Sequence, residues 1–439
     1  MTSQVVVCLL GVLLGLLSLF AALRAGRRRR LIDNLPTSKT TGVFIGQVEL
    51  KGTAESAQPL VSYLAERLCV HYKWSVDEHW SRTVTETYTD SEGKTQTRTR
   101  HESGWETVAS GGEQSVFYLR DDCGVVLVNP DRAEVEPVTV FETTCDRGDP
   151  LYYAKGPAHA VSNSDHRRRF FEEAIPLHAR IYVMGPARER DDVVAPEIRY
   201  RRDTPLFLIS TRSEARISAG LNVQFWCCGV LFVVLCAGGV IGLDYGHQVV
   251  PADPLTWQLT VVGAALATWA LGWLWMAYNS MVGLRQRVRQ AWANVDVQLK
   301  RRNDLIPNLV RAVEGLRDHE RHVQAELAEL RSQLLATAPG QAGPDPRGCA
   351  SLLRGIIEHY PELKADKAFM KLQQNLIDTE QRISLARGYF NSIATFYNTR
   401  LQVIPDRFVA AISVMKPQPL IAATDFERAA VHVNLVSGE

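Results

Sequence analysis

Three long apolar runs punctuate the chain, and the polarity of the rest changes period once, from strand-like alternation to a helical repeat. Val5 to Leu23 carries no charged residue. Its roughly 19 residues would reach about 28 Å as a helix, close to the depth of a bilayer's hydrocarbon core. FWCCGVLFVVLCAGGVIGL (225–243) and LTWQLTVVGAALATWALGWLWMAY (255–278) are each long enough to do the same. Between the first and second runs lie short β-rich segments: GVFIGQVEL, LCVHYKWSV, SVFYLRD, GVVLVNP, RIYVMG and LFLIS, bounded by Gly, Pro and Asp. After the third run the apolar spacing becomes four and three. One line is Trp292, Leu299, Ile306, Val313, Glu320, Leu327 and Leu334. The other is Val288, Val295, Arg302, Leu309, Leu316, Val323 and Leu330. Together they form an a/d seam broken only by Arg302 and Glu320.

Flanking charge orients the apolar runs. Arg27, Arg28, Arg29 and Arg30 follow the first run and no basic residue precedes it. A signal peptide is the rival reading, but length and flanks favour an anchor whose amino terminus lies outside. Arg212 and Arg216 precede the second run, Arg285, Arg287 and Arg289 follow the third, and the intervening DYGHQVVPADP has neither Lys nor Arg. The positive-inside rule then places residues 24–222 and 279–439 inside and the short loop outside. Trp226, Trp257, Trp273 and Trp275 sit near the ends of the spans, as interfacial anchors do.

Composition narrows the chemistry. A formal net charge of +1 gives no reason to expect a nucleic-acid partner. The 8 cysteines form no CxxC and no Cys/His cluster of zinc spacing, which suits a reducing compartment. Asp77, Glu78 and His79 are consecutive, so a strand sends them to alternate faces. His159 and His166 read as polar loop residues without a partner carboxylate. DHERH carries Asp318, His319, Glu320 and His322 but lacks the HExxH order of zinc proteases. Cys227 and Cys228 read as membrane-buried thiols, acylation being the alternative. No catalytic residue, cofactor or metal site is assigned.

DDCG reads as a hairpin turn, and VTETYTDSEGKTQTRT as a second hairpin with polar residues on both faces, a disordered linker being its rival. The basic residues Arg27, Arg28, Arg29, Arg30, Arg167, Arg168 and Arg169 are read as candidates to face anionic lipid. TGVFIGQVELKGTA, CVHYKWSVDEHW, GVVLVNP, IPLHARIYVMGPAR and LFLIS together resemble the BAM/GIDE domain, over residues 36–215. That resemblance implies a β-rich α+β domain lying beside a membrane. In the mitochondrial ubiquitin ligases that share it, catalysis belongs to a zinc-binding RING, and no RING constellation is found in this sequence.

TAPGQAGPDPRG and EHYPELKAD interrupt the helical half, after which Phe369, Leu376, Ile383, Phe390 and Tyr397 form one apolar line and Leu372, Ala386 and Ile393 another. Tyr389 and Tyr397-Asn398 read as packing residues. Two such helices are expected to fold back antiparallel. Folding about residue 343 sets Arg302 opposite residue 382, within a turn of Glu380. Arg302, Glu380, Arg387 and Asp304 are therefore expected to form a polar layer, and removing one partner of a buried pair costs about 3–5 kcal/mol. Pro307 is expected to kink the helix without ending it, a helix restarted at Asn303 or Asp304 being the alternative.

LKRRNDLIPNLV, YPELK, TEQRISLAR and YFNSIATFYN, in this order, resemble the LemA family over residues 276–412. The resemblance implies a bacterial membrane-anchored helical bundle with no established enzymatic activity. Some relatives act in building magnetosome membranes. The expected architecture is thus an α+β membrane protein with three transmembrane helices. Residues 1–30 form an anchor and basic flank, 31–222 a BAM/GIDE-like domain, 223–278 two spans, 279–414 a LemA-like antiparallel bundle, and 415–439 a tail. The expected function is a non-enzymatic scaffold of the bacterial inner membrane, homo-oligomeric and in contact with membrane lipids, that organises or monitors that membrane. The alternatives are a membrane or lipid-stress sensor and a ubiquitin-ligase-like protein lacking its own RING.

Overall fold

The computed structural model describes residues 2–89, 95–190, 195–202, 204–246, 254–314 and 367–421. In chain order its elements are α1 (Thr2–Asp33), β1 (Thr37–Ser38), β2 (Gly46–Glu55), β3 (Leu60–Val61), β4 (Leu68–Thr89), β5 (Thr95–Gln114), β6 (Phe117–Arg120), β7 (Val125–Val128), β8 (Glu134–Glu136) and β9 (Val138–Asp146). There follow α2 (Pro150–Ala154), β10 (Ser164–Pro176), β11 (Arg180–Glu189), β12 (Pro196–Ile198), β13 (Leu208–Ser210), α3 (Glu214–Gly246), α4 (Pro254–Glu314), α5 (Lys367–Gln402) and α6 (Asp406–Ile412). They divide into a β-rich unit, Thr37–Ile217, and a helical unit made of Met1–Pro36 with Ser218–Glu439.

The β-rich unit contains a small closed barrel. β2 pairs with β6 and with β11, β6 with β7, β7 with β12, and β12 with β11, which completes the ring. Closure removes free edges from these strands. Alternate residues fill the interior: Val48, Leu50, Leu119, Val126, Val128, Ile181, Val183 and Ile198 are buried together. DDCG is the turn between β6 and β7, as its sequence indicates.

The second sheet is built on β4, which pairs with β3, β5 and β10, and β10 in turn pairs with β9. LCVHYKWSV and the threonine-rich stretch that follows form one strand, with β4 paired to β5 from His71–Gln114 out to Thr89–Thr95. Beyond Ser81 the side chains of β4 are mostly exposed, so this arm is a ribbon held by main-chain pairing. Nearer the core, Trp74 lies over Gly111 and Trp80 over Gly104, where an added Cβ would sit about 3.0–3.2 Å from the indole. The glycines thus make room for cross-strand aromatics.

The Arg167–Arg169 segment is part of β10, the strand between β4 and β9. His166 also lies in β10 and not in the polar loop expected for it. This strand is obscure in sequence because its inward positions include charges. Arg168, Phe170, Glu172 and Ala174 are all buried, so the period of two is intact but the buried set is half polar.

In the helical unit α1, α3 and α4 each contain a stretch long and apolar enough to cross a membrane. α4 has 61 residues, a rise of about 90 Å. It runs through Pro307 to Glu314 unbroken, so the restarted helix is not seen. α4 and α5 pack antiparallel: Trp292 meets Phe390 at 5.3 Å, and ten residues further along α4, Arg302 lies 3.8 Å from Glu380, ten residues earlier in α5. Val288, Val295, Leu299, Leu376, Ile383, Ala386, Phe390, Ile393 and Tyr397 are buried between them, as the seam requires. The seam positions Ile306, Leu309 and those from Val313 to Leu334 lie outside the described side chains, and DHERH lies wholly outside the described residues.

Candidate functional site

The helical unit concentrates its polar chemistry where α1 leaves its apolar stretch. Arg30 forms a two-pronged contact with Asp406 at the start of α6, Nη1 to Oδ2 at 3.1 Å and Nη2 to Oδ1 at 2.8 Å. Asp406 is only 1% exposed, so the bidentate geometry compensates a carboxylate taken almost wholly out of water. The Arg30 guanidinium also lies 5.6 Å from the Trp273 ring centre. Arg400 from α5 reaches the same carboxylate at 3.4 Å and donates to Asn34 Oδ1 at 3.2 Å. Asn34 donates to Ser280 of α4 at 2.9 Å. Arg29 donates to Asn222 of α3 at 2.6 Å, and Ser218 donates to Asp33 at 2.7 Å.

This clamp joins α1 to α3, α4, α5 and α6. Ala277, Met281, Val409 and Ala410 pack as an apolar patch of the same unit, with Trp273, Leu401 and Met415 around them. Arg30 is therefore committed to neighbouring helices and does not face outward as its place after an apolar run suggests, whereas Arg29 contacts Asn222 and Asp33 with 40% of its side chain exposed. Arg28 is half-buried, and Arg27 is exposed. Sequence reasoning missed Asp406, Arg400, Asn34, Ser280 and Asn222. Each is an ordinary polar residue whose importance depends on a partner far away in the chain.

The polar layer between α4 and α5 is placed differently from its expected form. Arg302 is 2% exposed and faces Glu380, but at 3.8 Å, beyond hydrogen-bond length. Arg387 is half-buried on α5. Asp304 is exposed and does not enter the layer, because two residues of helix turn it about 200° from Arg302. Thr379 is buried and donates to the Asn375 carbonyl at 2.7 Å. Gln298 Oε1, Asp296 Oδ1 and Tyr397 Oη are also buried here without a hydrogen bond among the described residues.

In the β-rich unit the lipid-facing reading fails for Arg168. Its side chain is 0% exposed. It donates to Glu78 from Nε at 3.2 Å and Nη2 at 3.0 Å, and to the carbonyls of Tyr152, Pro157 and His159 at 2.8, 2.8 and 3.1 Å. The guanidinium also lies 3.9 Å from the Tyr152 ring centre. Arg168 thus pins the α2 segment onto β10. Burial pushes the Glu78 carboxyl up, but hydrogen bonds from Ser164, Tyr152 and Arg168 outweigh it and leave Glu78 below the ordinary glutamate range. Burial and the Glu78 carboxylate push the Tyr152 phenol up to about 12. Arg169 pairs with Asp77 at 2.8 Å and lies over Trp105, whereas Arg167 is exposed, 3.7 Å from Asp146. His79 contacts Asp165 at 2.5 Å, so the Asp77–His79 triplet divides among three partners as alternate faces require.

A cleft of about 780 Å³ opens beside the barrel. Lys51, Arg120, Arg180 and Arg212 line it, against Asp121 and Glu214. Lys51 is held by Glu214 at 2.6 Å and Glu49 at 3.2 Å. Asp121, Asp122 and Cys123 are the one described group able to offer three metal ligands. Their carboxylates already accept from the Thr40 hydroxyl and amide, the amides of Cys123 and Gly124, and Lys39, so the cluster serves as a turn lock.

With this geometry in view, the similarities of the chain fall on two stretches. The LemA family model matches residues 291–435, beginning inside α4. Residues 291–435 are thus similar to the LemA family. A GIDE model, described as an E3 ubiquitin ligase, matches residues 85–243, from the long ribbon through most of α3. Among curated proteins, the magnetosome protein MamQ of Magnetospirillum gryphiswaldense is 22% identical over 33% of this chain and 64% of its own length. MamQ 2 of Paramagnetospirillum magneticum is 20% identical over the same shares. Protein LemA of Metamycoplasma hominis is 21% identical over 34% of this chain and 71% of its own. The chain therefore spans less than two thirds of the MamQ proteins it matches. The LemA match begins and ends later than the 276–412 stretch legible in sequence, and its far end passes α6 into the tail. The three helices long and apolar enough to cross a membrane point to a membrane location for the chain.

Proposed function

We propose that this LemA-type chain is a non-enzymatic scaffold of the bacterial inner membrane. Its β-rich unit and helix pair lie on the cytoplasmic side, and copies self-assemble to organise or monitor the membrane. The observation that carries this reading is the continuity of α4, a single helix of 61 residues that begins as a candidate span and ends as one wall of the α4–α5 seam. A helix unbroken for about 90 Å transmits displacement and orientation along its axis, as a hinged connection does not. The clamp of Arg30, Asp406, Arg400 and Asn34 adds a second link, between α1 and the end of the pair that adjoins the apolar stretch of α4. Amine-reactive cross-linking in native membranes tests the assembly: discrete oligomers are expected, and a strictly monomeric chain would overturn the scaffold. Labelling of single cysteines at positions 90 and 340 should report both on the cytoplasmic face, and one outside would overturn the topology.

A second reading is favoured by the cleft of about 780 Å³ with its four cations. It has the charge for the phosphate of an anionic lipid headgroup and would make the β-rich unit a lipid sensor. Vesicles of anionic lipid should retain the chain in a salt-sensitive way that weakens on Arg120→Ala with Arg180→Ala; unchanged retention would count against it. Ligase activity borrowed from a partner's RING remains the reading with least structural support.

A further inference from the structure

Two asparagines of α5, Asn391 and Asn398, hold the chain's own tail by its backbone. Asn398 Nδ2 donates to the Gln418 carbonyl at 2.8 Å and its Oδ1 accepts from the Gln418 amide at 2.8 Å. Asn391 repeats the pattern on Ile421, with both contacts at 2.9 Å. The periods match. Seven residues of helix advance about 10.5 Å, and three residues of near-extended chain cover about 10 Å. Pro417 and Pro419 flank Gln418 and have no N–H, so the asparagine at 398 finds a single donor in that stretch and the register is unambiguous. Each amide satisfies one backbone donor and one acceptor, so what is read is main chain, with Leu420 and Pro419 left exposed.

The strap is joined to α6 by a short turn under strain. The Met415 amide bonds to the Ala410 carbonyl at 3.1 Å and the Val414 amide to the Ala411 carbonyl at 3.3 Å, a Schellman ending. The left-handed residue of that motif is ordinarily glycine; here it is Val414 at φ 49°. A β-branched residue is disfavoured there, because its Cβ crowds the backbone. A strained short hinge beside a segment held by a few main-chain hydrogen bonds is the arrangement in which a segment trades places with its copy.

We propose that the Asn391–Asn398 pair is a peptide-backbone clasp whose occupant, residues 416–421, is exchanged with a second copy of this chain. The exchange links neighbours in the membrane. It rests on the self-assembly reading and supplies its contact: opening the Val414 turn frees the strap, and each copy's asparagines receive the other's Gln418 and Ile421. The LemA match continues to residue 435, past the strap, so the clasped segment belongs to the family region and is not an appendage to it.

The test uses full-length chains co-expressed in one membrane. One copy carries a photoreactive residue at Leu420 and one affinity tag; the other is unaltered at that position and carries a different tag. Irradiation should give a doubly tagged dimer whose cross-linked peptide contains Asn391–Asn398. N391A with N398A in both copies should lower its yield at least about tenfold, the equivalent of two modest hydrogen bonds. Val414→Gly keeps the clasp but relieves the turn, so the dimer should fall several-fold while cross-linking within one chain rises. Cross-links to α5 confined to single chains would overturn strap exchange. If amine-reactive cross-linking of the same membranes still shows oligomers, the scaffold reading survives that result; if it shows none, both fall.

Discussion

Arg168 and Arg302 are both arginines removed from water, one in a sheet and one between two helices, and they are held in opposite ways. Arg168 spends every nitrogen: two contacts to Glu78, three to carbonyls, and its face on Tyr152. Arg302 has Glu380 at 3.8 Å, and Glu380 is 23% exposed. A saturated buried cation fixes one local fold, because every donor must be returned to water if the loop moves. Arg302 instead sits on a seam whose cohesion comes from the apolar residues around it. The β-rich unit thus uses charge to specify a rigid loop, and the helix pair uses apolar spacing for cohesion with charge as a weak register mark.

The sharpest way to break this contrast is Arg168→Leu. It strands Glu78 in a buried site and releases three carbonyls, so the β-rich unit should lose about 3–5 kcal/mol. Denaturant unfolding of the detergent-solubilised chain, followed by tryptophan fluorescence, reads this directly, since Trp74 and Trp80 lie on β4. A loss below about 1 kcal/mol would mean that the loop is held by other contacts. Asp406→Ala should rank second. It removes the acceptor shared by Arg30 and Arg400 and should cost the helical unit about 2–3 kcal/mol, the worth of a charged hydrogen bond or two in a partly screened site. Earlier cleavage between α5 and α6 in limited proteolysis is the expected reading; an unchanged digestion pattern would assign the clamp no mechanical part.

These residues also show what the sequence could and could not disclose. The apolar runs, the barrel strands and the α4–α5 seam were legible because burial there follows a period in the chain. β10 was not, because Arg168 and Glu172 occupy inward positions that periodicity reserves for apolar residues. Glu172 is satisfied by the Leu64 and Ala65 amides at 3.0 and 2.7 Å, partners about a hundred positions away, which no local pattern displays. The basic residues after the apolar run of α1 misled for the same reason. A run of four arginines looks like one surface, yet Arg30 found Asp406 376 positions further on. Asn398 reads as a packing residue until its backbone partner is placed, and Asn391 carries no local signal of its own. The Arg302–Glu380 juxtaposition could be estimated within two residues, because antiparallel helices obey simple addition.

Acid and alkali should probe the saturated site from both sides. Glu78 titrates below its ordinary value in the fold, so its contribution is whole above about pH 4.5 and is lost as pH falls through the depressed folded value. Tyr152 titrates at about 12, so its contribution is whole below about pH 10 and is lost as pH rises through 12. Stability of the β-rich unit should be level between about pH 5 and 10 and fall towards each limit. Arg168→Leu should alter the acid limb and leave little of it to lose. A wild-type acid limb retained in that variant would place the responsible carboxylate elsewhere.

The smallest effect is expected at Arg302, and its smallness is the point. From spacing alone the Arg302–Glu380 pair should behave as a buried ion pair, with a loss of about 3–5 kcal/mol when either member is removed. At 3.8 Å the direct attraction to Glu380, which keeps 23% of its side chain exposed, is weaker than that of a hydrogen-bonded pair. Arg302→Leu fills an a/d position with the residue the seam prefers elsewhere, so it should change the unfolding free energy of the helical unit by no more than about 1 kcal/mol, with stabilisation an accepted sign. Glu380→Leu should cost more than Arg302→Leu, because it removes a carboxylate facing the 2%-exposed member of the pair. Circular dichroism of helix loss in graded denaturant would order the two. A drop of about 3 kcal/mol or more for Arg302→Leu would erase the contrast with Arg168 and make both arginines fixed pins of their respective units.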